Sequence, residues 1–222
     1  MTLTAEPGAG EAEAVAPEAF DGGRPLPFWG GLFRPEGVPE LDAADAARAV
    51  RASLNEHRTW AFAPLTERKV RVLASLDALT EHRDLLASLP GMDSGLDECL
   101  DETLRCVEQI DGLVAGREPL RGPVSNLADR GCPAPALVYA MFVQALVGNA
   151  VVVKAPEETG HALALVTALA ARHGVPFTLV HGGGPMVDAA LTRPDVVGCV
   201  SYPDGTRRGL SLVGAVTRRA AT

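Results

Sequence analysis

The second half of the chain alternates short apolar, β-rich segments with segments of helical pattern. This pattern predicts strands at Ala150 to Lys154, Phe177 to His181 and Val196 to Ser201, with helices over Thr159 to Arg172 and Pro185 to Thr192 between them. Strands that alternate with helices form a parallel sheet covered by crossover helices. The alternation therefore restricts the chain to the α/β class.

Residues 41 to 121 have a helical pattern instead, with apolar positions returning every three or four residues. A first helix is predicted from a cap at Asp42 to about Asn55, and a second from Pro64 to the stop at Pro90 and Gly91. The buried positions predicted for the second helix are Val70, Leu73, Leu76 and Leu79, and those for a third helix are Leu96, Leu100, Leu104, Val107 and Ile110. We expect these helices to pack on the sheet.

The chain is predicted to form a single domain over residues 28 to 222, with a helical part at 41–121 and a sheet part at 122–222. Residues 1 to 27 are rich in Ala, Glu, Gly and Pro, and predict a disordered tail. Three aromatic residues follow this tail, namely Phe28, Trp29 and Phe33. They are expected either to pack as a clip on the body of the chain or to anchor a partner.

The formal net charge of −8 over 222 residues is unevenly placed. Residues 1 to 121 contain 22 acids and 12 bases, and residues 122 to 222 contain 6 acids and 8 bases, which gives −10 and +2. No basic stripe interleaved with aromatic residues is present, so nucleic acid is excluded as an expected partner. Two of the 20 bases are lysines, Lys69 and Lys154, and the position of each is therefore informative.

Neither a metal site nor a membrane segment is expected from the sequence. Cys99, Cys106, Cys132 and Cys199 have no CxxC spacing and no histidine at zinc-ligand spacing, so reduced structural thiols are expected. The apolar run from Ala134 to Val147 is shorter than the roughly 18 residues that a membrane span needs. Because residues 1 to 20 hold acids but no Lys or Arg, unlike a targeting peptide, we expect a cytoplasmic protein.

Lys154 ends a predicted strand, and Glu157 lies where the next helix begins. Ligands of open α/β sheets bind at the carboxyl ends of the strands, where a helix N-terminus and a lysine favour anions. A ribose or a phosphate is therefore one expected ligand. The alternative is that Lys154 and Glu157 form a surface ion pair.

Gly182, Gly183 and Gly184 follow the next predicted strand and precede Pro185. Such a turn lets a ligand approach the backbone closely, but a plain tight turn explains the glycines equally well. The GxGxxG fingerprint of dinucleotide-binding folds is not met. His181, beside these glycines, is the histidine best placed to contact a ligand.

Taken in order, these segments resemble the N-terminal, cofactor-binding half of the aldehyde dehydrogenase superfamily. The resemblance runs from Leu41 to Ser201 and is most specific in ALVGNAVVVKAPEET, residues 145 to 159. It extends to HGVPFTLVHGGGP, to LTRPDVVGCVSY and, in the helical part, to APLTERKVRVLASLDALTEHRDLLASL. The implied fold is a Rossmann-like parallel sheet with N-terminal helices packed on it.

The resemblance implies that Lys154 and Glu157 match positions that bind the adenosine ribose, with Gly183 and Gly184 near the cofactor. Two family motifs are altered. The tryptophan-asparagine-phenylalanine-proline motif, whose asparagine helps to form the oxyanion hole, is replaced by Arg130, Gly131, Cys132 and Pro133. The phenylalanine-threonine-glycine-serine turn beside the diphosphate is replaced by Ser201, Tyr202, Pro203 and Asp204, which removes a backbone donor and adds a repelling charge.

The family's general-base glutamate, nucleophilic cysteine and catalytic domain match no residue up to Thr222, so the catalytic residues stay unknown. Cys132 lies where the motif has phenylalanine and has no neighbouring histidine, so a packed core thiol is expected rather than a nucleophile. Arg130 is a candidate for binding a carboxylate or another anion, with a structural salt bridge as the alternative.

These observations leave three hypotheses open. The first is a non-redox subunit that binds no cofactor and helps a second protein subunit to bind a small polar or anionic substrate, in a displacement or cyclisation that releases an anionic leaving group. The second is the NAD(P)-binding subunit of a split dehydrogenase, and the third is a scaffold without a ligand. The Ala-, Arg- and Gly-rich, lysine-poor composition favours a bacterial biosynthetic setting.

Overall fold

A computed structural model describes residues 28–29, 43–181, 184–202 and 210–220, with backbone alone for Phe28, Trp29, Glu157, Leu210 and Ser211. The predicted tail at residues 1 to 27, together with Phe33, Asp42, Gly182, Gly183, Pro203 and Asp204, lies outside these residues. The helices are α1 (Ala43–Trp60), α2 (Leu65–Glu81), α3 (Arg83–Ser88), α4 (Leu96–Val114), α5 (Ala134–Leu146), α6 (Gly160–Arg172), α7 (Pro185–Leu191) and α8 (Leu210–Ala215). The strands are β1 (Phe28–Trp29), β2 (Arg117–Pro119), β3 (Val124–Leu127), β4 (Val151–Lys154), β5 (Phe177–Val180), β6 (Cys199–Ser201) and β7 (Thr217–Arg219).

A five-stranded sheet in the order β1-β5-β4-β3-β6 organises the fold, and all its pairings are parallel. The chain runs outward from β3 through β4 to β5 and then returns to place β6 on the other side of β3. A separate antiparallel pair joins β2 to β7. The predicted α/β class and Rossmann-like parallel sheet are therefore confirmed.

Helices cover both faces of the sheet. Side chains of successive strand residues point to opposite faces, so an entirely apolar strand needs a helix layer on each side. Val151 and Val153 belong to the larger apolar cluster, which α2, α4, α5 and α6 complete. Val152 and Val180 belong to a second cluster with residues of α1 and α7. The result is a three-layer arrangement in which β4 is buried on both sides, as its uninterrupted run of valines requires.

The predicted elements of the second half agree closely with the structure. Strands β4 and β5 and helices α6 and α7 each lie within one residue of the predicted bounds. The predicted strand from Val196 is too long, since β6 begins at Cys199. Phe28 and Trp29 pair in parallel with Leu179 and Val180 of β5, which agrees with a clip on the chain's own body.

The predicted ends of the first and second helices are both wrong. Helix α1 continues past Asn55 to Trp60, because His57 and Trp60 are buried and the Trp60 indole donates a hydrogen bond to the Ala145 carbonyl over 2.8 Å. Helix α2 ends at Glu81 rather than at Pro90. The His82 ring bonds to the Ala78 carbonyl over 2.8 Å, and the short helix α3 follows.

The predicted buried stripe of α2 is half wrong. Val70 and Leu73 are exposed, whereas Val72, Leu76 and Leu79 are buried. A strict spacing of three residues drifts by about 60° at each step around a helix of 3.6 residues per turn, so Val70 and Leu79 lie on opposite sides. On α4 the stripe is confirmed except for Leu104, which is partly exposed.

Candidate functional site

The carboxyl ends of β3, β4 and β5 meet at one edge of the sheet, which we call the carboxyl edge. The pairing register places Lys154 beside Leu127 of β3 and Val180 of β5. His181 follows Val180 directly, and Arg130 lies in the turn after β3. The sequence-predicted residues Lys154, His181 and Arg130 are therefore carried by adjacent strands of the same edge.

Lys154 is bound by a residue that the sequence analysis missed. Its ammonium group donates a hydrogen bond to the carboxylate of Asp188, in the first turn of α7, and the two side chains form an ion pair. The Lys154 side chain is mostly buried, with 19% of it exposed, and the Asp188 side chain is 42% exposed. This ion pair joins β4 to α7, whereas the Glu157 side chain, the partner expected from the sequence, lies outside what the structure describes.

Glu157 begins a single 3-10 turn, Glu157–Thr159, ahead of α6. The sequence suggests that the amides at this helix start can bind an anion. The amide of Thr159, however, donates a hydrogen bond to the Pro156 carbonyl over 3.2 Å and is not free. Gly184 has a φ of +111°, and among the described residues other than its chain neighbours no atom lies within 4 Å of the position that a Cβ would take there. A left-handed backbone with open space beside it permits close approach by a ligand.

His181 is half-buried, and its Nε2 atom has no hydrogen-bond partner among the residues that the structure describes. Burial, with a smaller contribution from nearby His161, lowers the pKa of His181 to about 4. The imidazole is therefore neutral at pH 7, and its unpartnered Nε2 atom is itself withdrawn from solvent at the carboxyl edge.

Arg130 is exposed, in a turn where Gly131 has a φ of +91°. This turn lies beside the point where the strand order reverses between β3 and β6, and Tyr202, 62% exposed, follows β6 on the other side. In open α/β sheets ligands bind in the crevice at such a reversal. Arg130 and Tyr202 are therefore the side chains that flank the crevice.

The cysteines lack the features of an activated nucleophile. Burial raises the pKa of Cys99 to about 12 and that of Cys106 to about 11, and it also raises the pKa of Cys199. Cys132 is buried just before α5 and donates to the Pro133 carbonyl at 3.8 Å.

Within the described part of the chain, no group of three or more His, Cys, Asp or Glu residues could hold a metal ion. No helix there is both long and apolar enough to cross a membrane.

At the opposite edge of the sheet, His57 joins α1 to the starts of β3 and β4. Its Nδ1 atom accepts a hydrogen bond from the Ala150 amide over 3.2 Å, and its Nε2 atom donates to the Leu120 carbonyl over 3.0 Å. These two bonds require the neutral ring. Burial lowers the pKa of His57, which agrees with that protonation state.

Because the folded protein holds His57 neutral and the unfolded chain titrates near pH 6.5, the unfolded state binds more protons as the pH falls below that value. We expect the free energy of unfolding to decrease from pH 6.5 toward pH 5. His57→Gln should be less stable than the wild type at pH 7.5, yet show a flatter dependence on pH. Urea titrations at several pH values measure both effects.

His173→Gln, a substitution at the end of α6, is the control for the loss of a histidine outside this contact. Burial raises the pKa of Glu56, but this carboxyl group is common to all three proteins. The difference between their profiles therefore reports the histidine. Identical slopes for the wild type and His57→Gln would show that His57 does not carry the dependence.

Comparisons with known proteins identify the fold. No family model matches the chain. In sequence, the chain is 27% identical over 186 residues to malonate-semialdehyde dehydrogenase 2 of Shouchella clausii, covering 72% of this chain and 38% of that protein. It is 26% identical over 200 residues to the mitochondrial benzaldehyde dehydrogenase of Antirrhinum majus, covering 78% of this chain and 37% of that one.

Among solved structures, betaine aldehyde dehydrogenase of Staphylococcus aureus in complex with NAD+ matches with a TM-score of 0.60 and 24% identity, over 75% of this chain and 39% of its own. An indole-3-acetaldehyde dehydrogenase matches with a TM-score of 0.62 and 22% identity, over 77% and 46%. The chain spans less than two fifths of the length of the two curated relatives named above. In sequence and in fold, this chain is thus similar to part of these aldehyde dehydrogenases.

Proposed function

We propose that this chain is a non-redox, aldehyde-dehydrogenase-like subunit of a heteromeric bacterial biosynthetic enzyme. In this proposal the carboxyl edge helps to bind a small polar substrate, and a second protein subunit supplies the rest of the site. The observation that carries the proposal is the ion pair between Lys154 and Asp188. It occupies the lysine that the resemblance assigns to the cofactor's ribose.

A nicotinamide dinucleotide is the cofactor that the family implies, and the carboxyl edge fits it poorly. The open space beside Gly184 suits the approach of a ligand. However, the ammonium group of Lys154 is already bonded, and Asp188 adds a carboxylate beside it. A carboxylate repels the diphosphate of a dinucleotide. The residues present do not fit the cofactor, and no redox step is assigned to this chain.

The same charge balance bears on the substrate. With Lys154 neutralised by Asp188, the edge offers the neutral imidazole of His181 and the exposed guanidinium of Arg130. These groups suit hydrogen bonding to a small polar molecule. An anionic leaving group, if the substrate has one, is better placed beside Arg130 than beside Asp188.

The outer strand β6 supports the requirement for a second subunit. Among the described strands it pairs with β3 alone, and all three of its residues are half-buried. An outer strand with unpaired backbone groups is a ready template for another chain. Met186, 71% exposed in the first turn of α7, adds an apolar side chain near the carboxyl edge.

The second candidate function is the NAD(P)-binding subunit of a split dehydrogenase. It is favoured by the fold, since similar structures include NAD+ complexes of the Staphylococcus aureus betaine aldehyde dehydrogenase and of a Bacillus cereus aldehyde dehydrogenase. Titration of the purified chain with NADH separates the two candidates. We expect no saturable binding in the micromolar range, whereas micromolar affinity would favour the split dehydrogenase.

A further inference from the structure

The contact between Lys154 and Asp188 joins two elements that are 34 residues apart in sequence. Lys154 is fixed by β4, which pairs with strands on both sides, and Asp188 is fixed by the first turn of α7. The amide of Asp188 donates to the Gly184 carbonyl over 3.1 Å. The backbone of Asp188 is therefore held in the first turn of α7, and its carboxylate reaches Lys154 at the end of β4.

We propose that Asp188 is a specificity-determining residue that excludes phosphate-bearing ligands from the carboxyl edge. This inference rests on the proposed function and deepens it, because it names the residue responsible for the poor fit of a dinucleotide. Asp188 acts in two ways. It bonds the ammonium group that a ribose or phosphate would need, and it places a negative charge beside that position.

The surroundings of the pair support this role. Arg193 forms its own ion pair with Asp195, beyond the end of α7. The neighbouring imidazole of His181 is neutral, since its pKa is lowered to about 4. Neither His181 nor Lys154 in its pair supplies a net positive charge, so the negative charge added by a phosphate is not compensated beside β4.

A ligand that competes with Asp188 must first break the ion pair between Lys154 and Asp188, in which the lysine side chain is mostly buried. Screening by solvent is weaker for such a partly buried pair than for an exposed one. Removing the carboxylate releases the ammonium group and also removes the repulsion. Both effects have the same sign, so Asp188 variants should gain affinity for phosphate-bearing ligands.

The experiment measures the binding of NADH and of ADP-ribose to the wild-type chain, to Asp188→Asn and to Asp188→Ala, by calorimetry at low ionic strength. Asp188→Asn retains size and removes charge, and Asp188→Ala removes both. We expect both variants to bind ADP-ribose at least about tenfold more tightly than the wild type. Thermal melting verifies that each variant is folded, as expected for a side chain that is 42% exposed.

Asp195→Asn is the matched control, because it removes the same charge from an exposed pair and leaves Lys154 bound to Asp188. Its affinity should stay within twofold of the wild type. The double variant Lys154→Met with Asp188→Ala should lose most of the gain, because the released ammonium group is absent and only the relief of repulsion remains. A gain that is undiminished in the double variant, or that is absent from both single variants, overturns the role of Asp188.

Different results overturn the non-redox function and the role of Asp188. Micromolar binding of NADH by the wild-type chain overturns the non-redox function, whatever the variants do. Weak binding by the wild type, together with equally weak binding by both Asp188 variants, leaves that function standing and overturns the assignment of Asp188 as the excluding residue.

Discussion

Gly122→Ala is expected to destabilise the protein by about 3 kcal/mol or more, the range of severe overpacking. A Cβ at this position would lie 2.2 Å from the carbonyl oxygen of Val196 and 3.0 Å from the amide nitrogen of Gly198. Both are backbone atoms at the entrance to β6. They move only if β6 separates from β3, which would break the parallel pairing of the two strands.

Gly112→Ala is the matched control for this substitution. Gly112 lies in α4, and beyond its own helix backbone no atom of the described residues lies within 4 Å of the position that its Cβ would take. Alanine favours a helix over glycine by up to about 1 kcal/mol, so this variant should be slightly more stable than the wild type. Urea denaturation monitored by circular dichroism measures both changes. Equal stability of the two variants would contradict the close approach at Gly122.

The second large effect is expected at a buried amide pair that joins β3 to α5. Asn126 donates to Gln144 over 2.7 Å, Gln144 donates back over 2.9 Å, and both side chains are fully buried. Replacing one partner leaves the other without its hydrogen bonds, which costs roughly 2 to 4 kcal/mol when both polar atoms lose their partner. We therefore expect Asn126→Leu and Gln144→Met each to be destabilised by about 3 kcal/mol.

The double variant is the informative control, because Leu has the branched shape of Asn, Met has a similar length to Gln, and neither leaves an unpaired polar group. Its unfolding free energy should return to within about 1 kcal/mol of the wild type. The double-mutant cycle is measured by urea denaturation of all four proteins. Additive losses in the double variant would show that the two amides do not act as a pair.

This amide pair also explains why the sequence did not reveal β3. Its four residues include Ser125 and Asn126, which interrupt the apolar run expected of a buried strand. The burial of Asn126 depends on its partner Gln144 in another element, and no local pattern encodes that contact. Strand β4 was predictable because Val151, Val152 and Val153 bury themselves without polar partners.

The candidate site was predictable in its position but not in its chemistry. The rule that ligands bind at the carboxyl ends of parallel strands placed Lys154 and His181 at one edge, as the register confirms. Asp188 was missed because its partner lies 34 residues earlier and meets it only when α7 docks beside β4. The role of the glycine turn stays a prediction, since Gly183 lies outside the described residues.

The proposal that this chain binds no nicotinamide dinucleotide is tested most directly by one titration. NADH is titrated into the wild-type chain while the fluorescence of NADH is followed. An excess of NAD+ is added at the end as a competitor. The ion pair of Lys154 with Asp188 predicts no saturable signal below about 1 mM and no change on adding NAD+. A saturable signal with a micromolar Kd, reversed by NAD+, would contradict the claim.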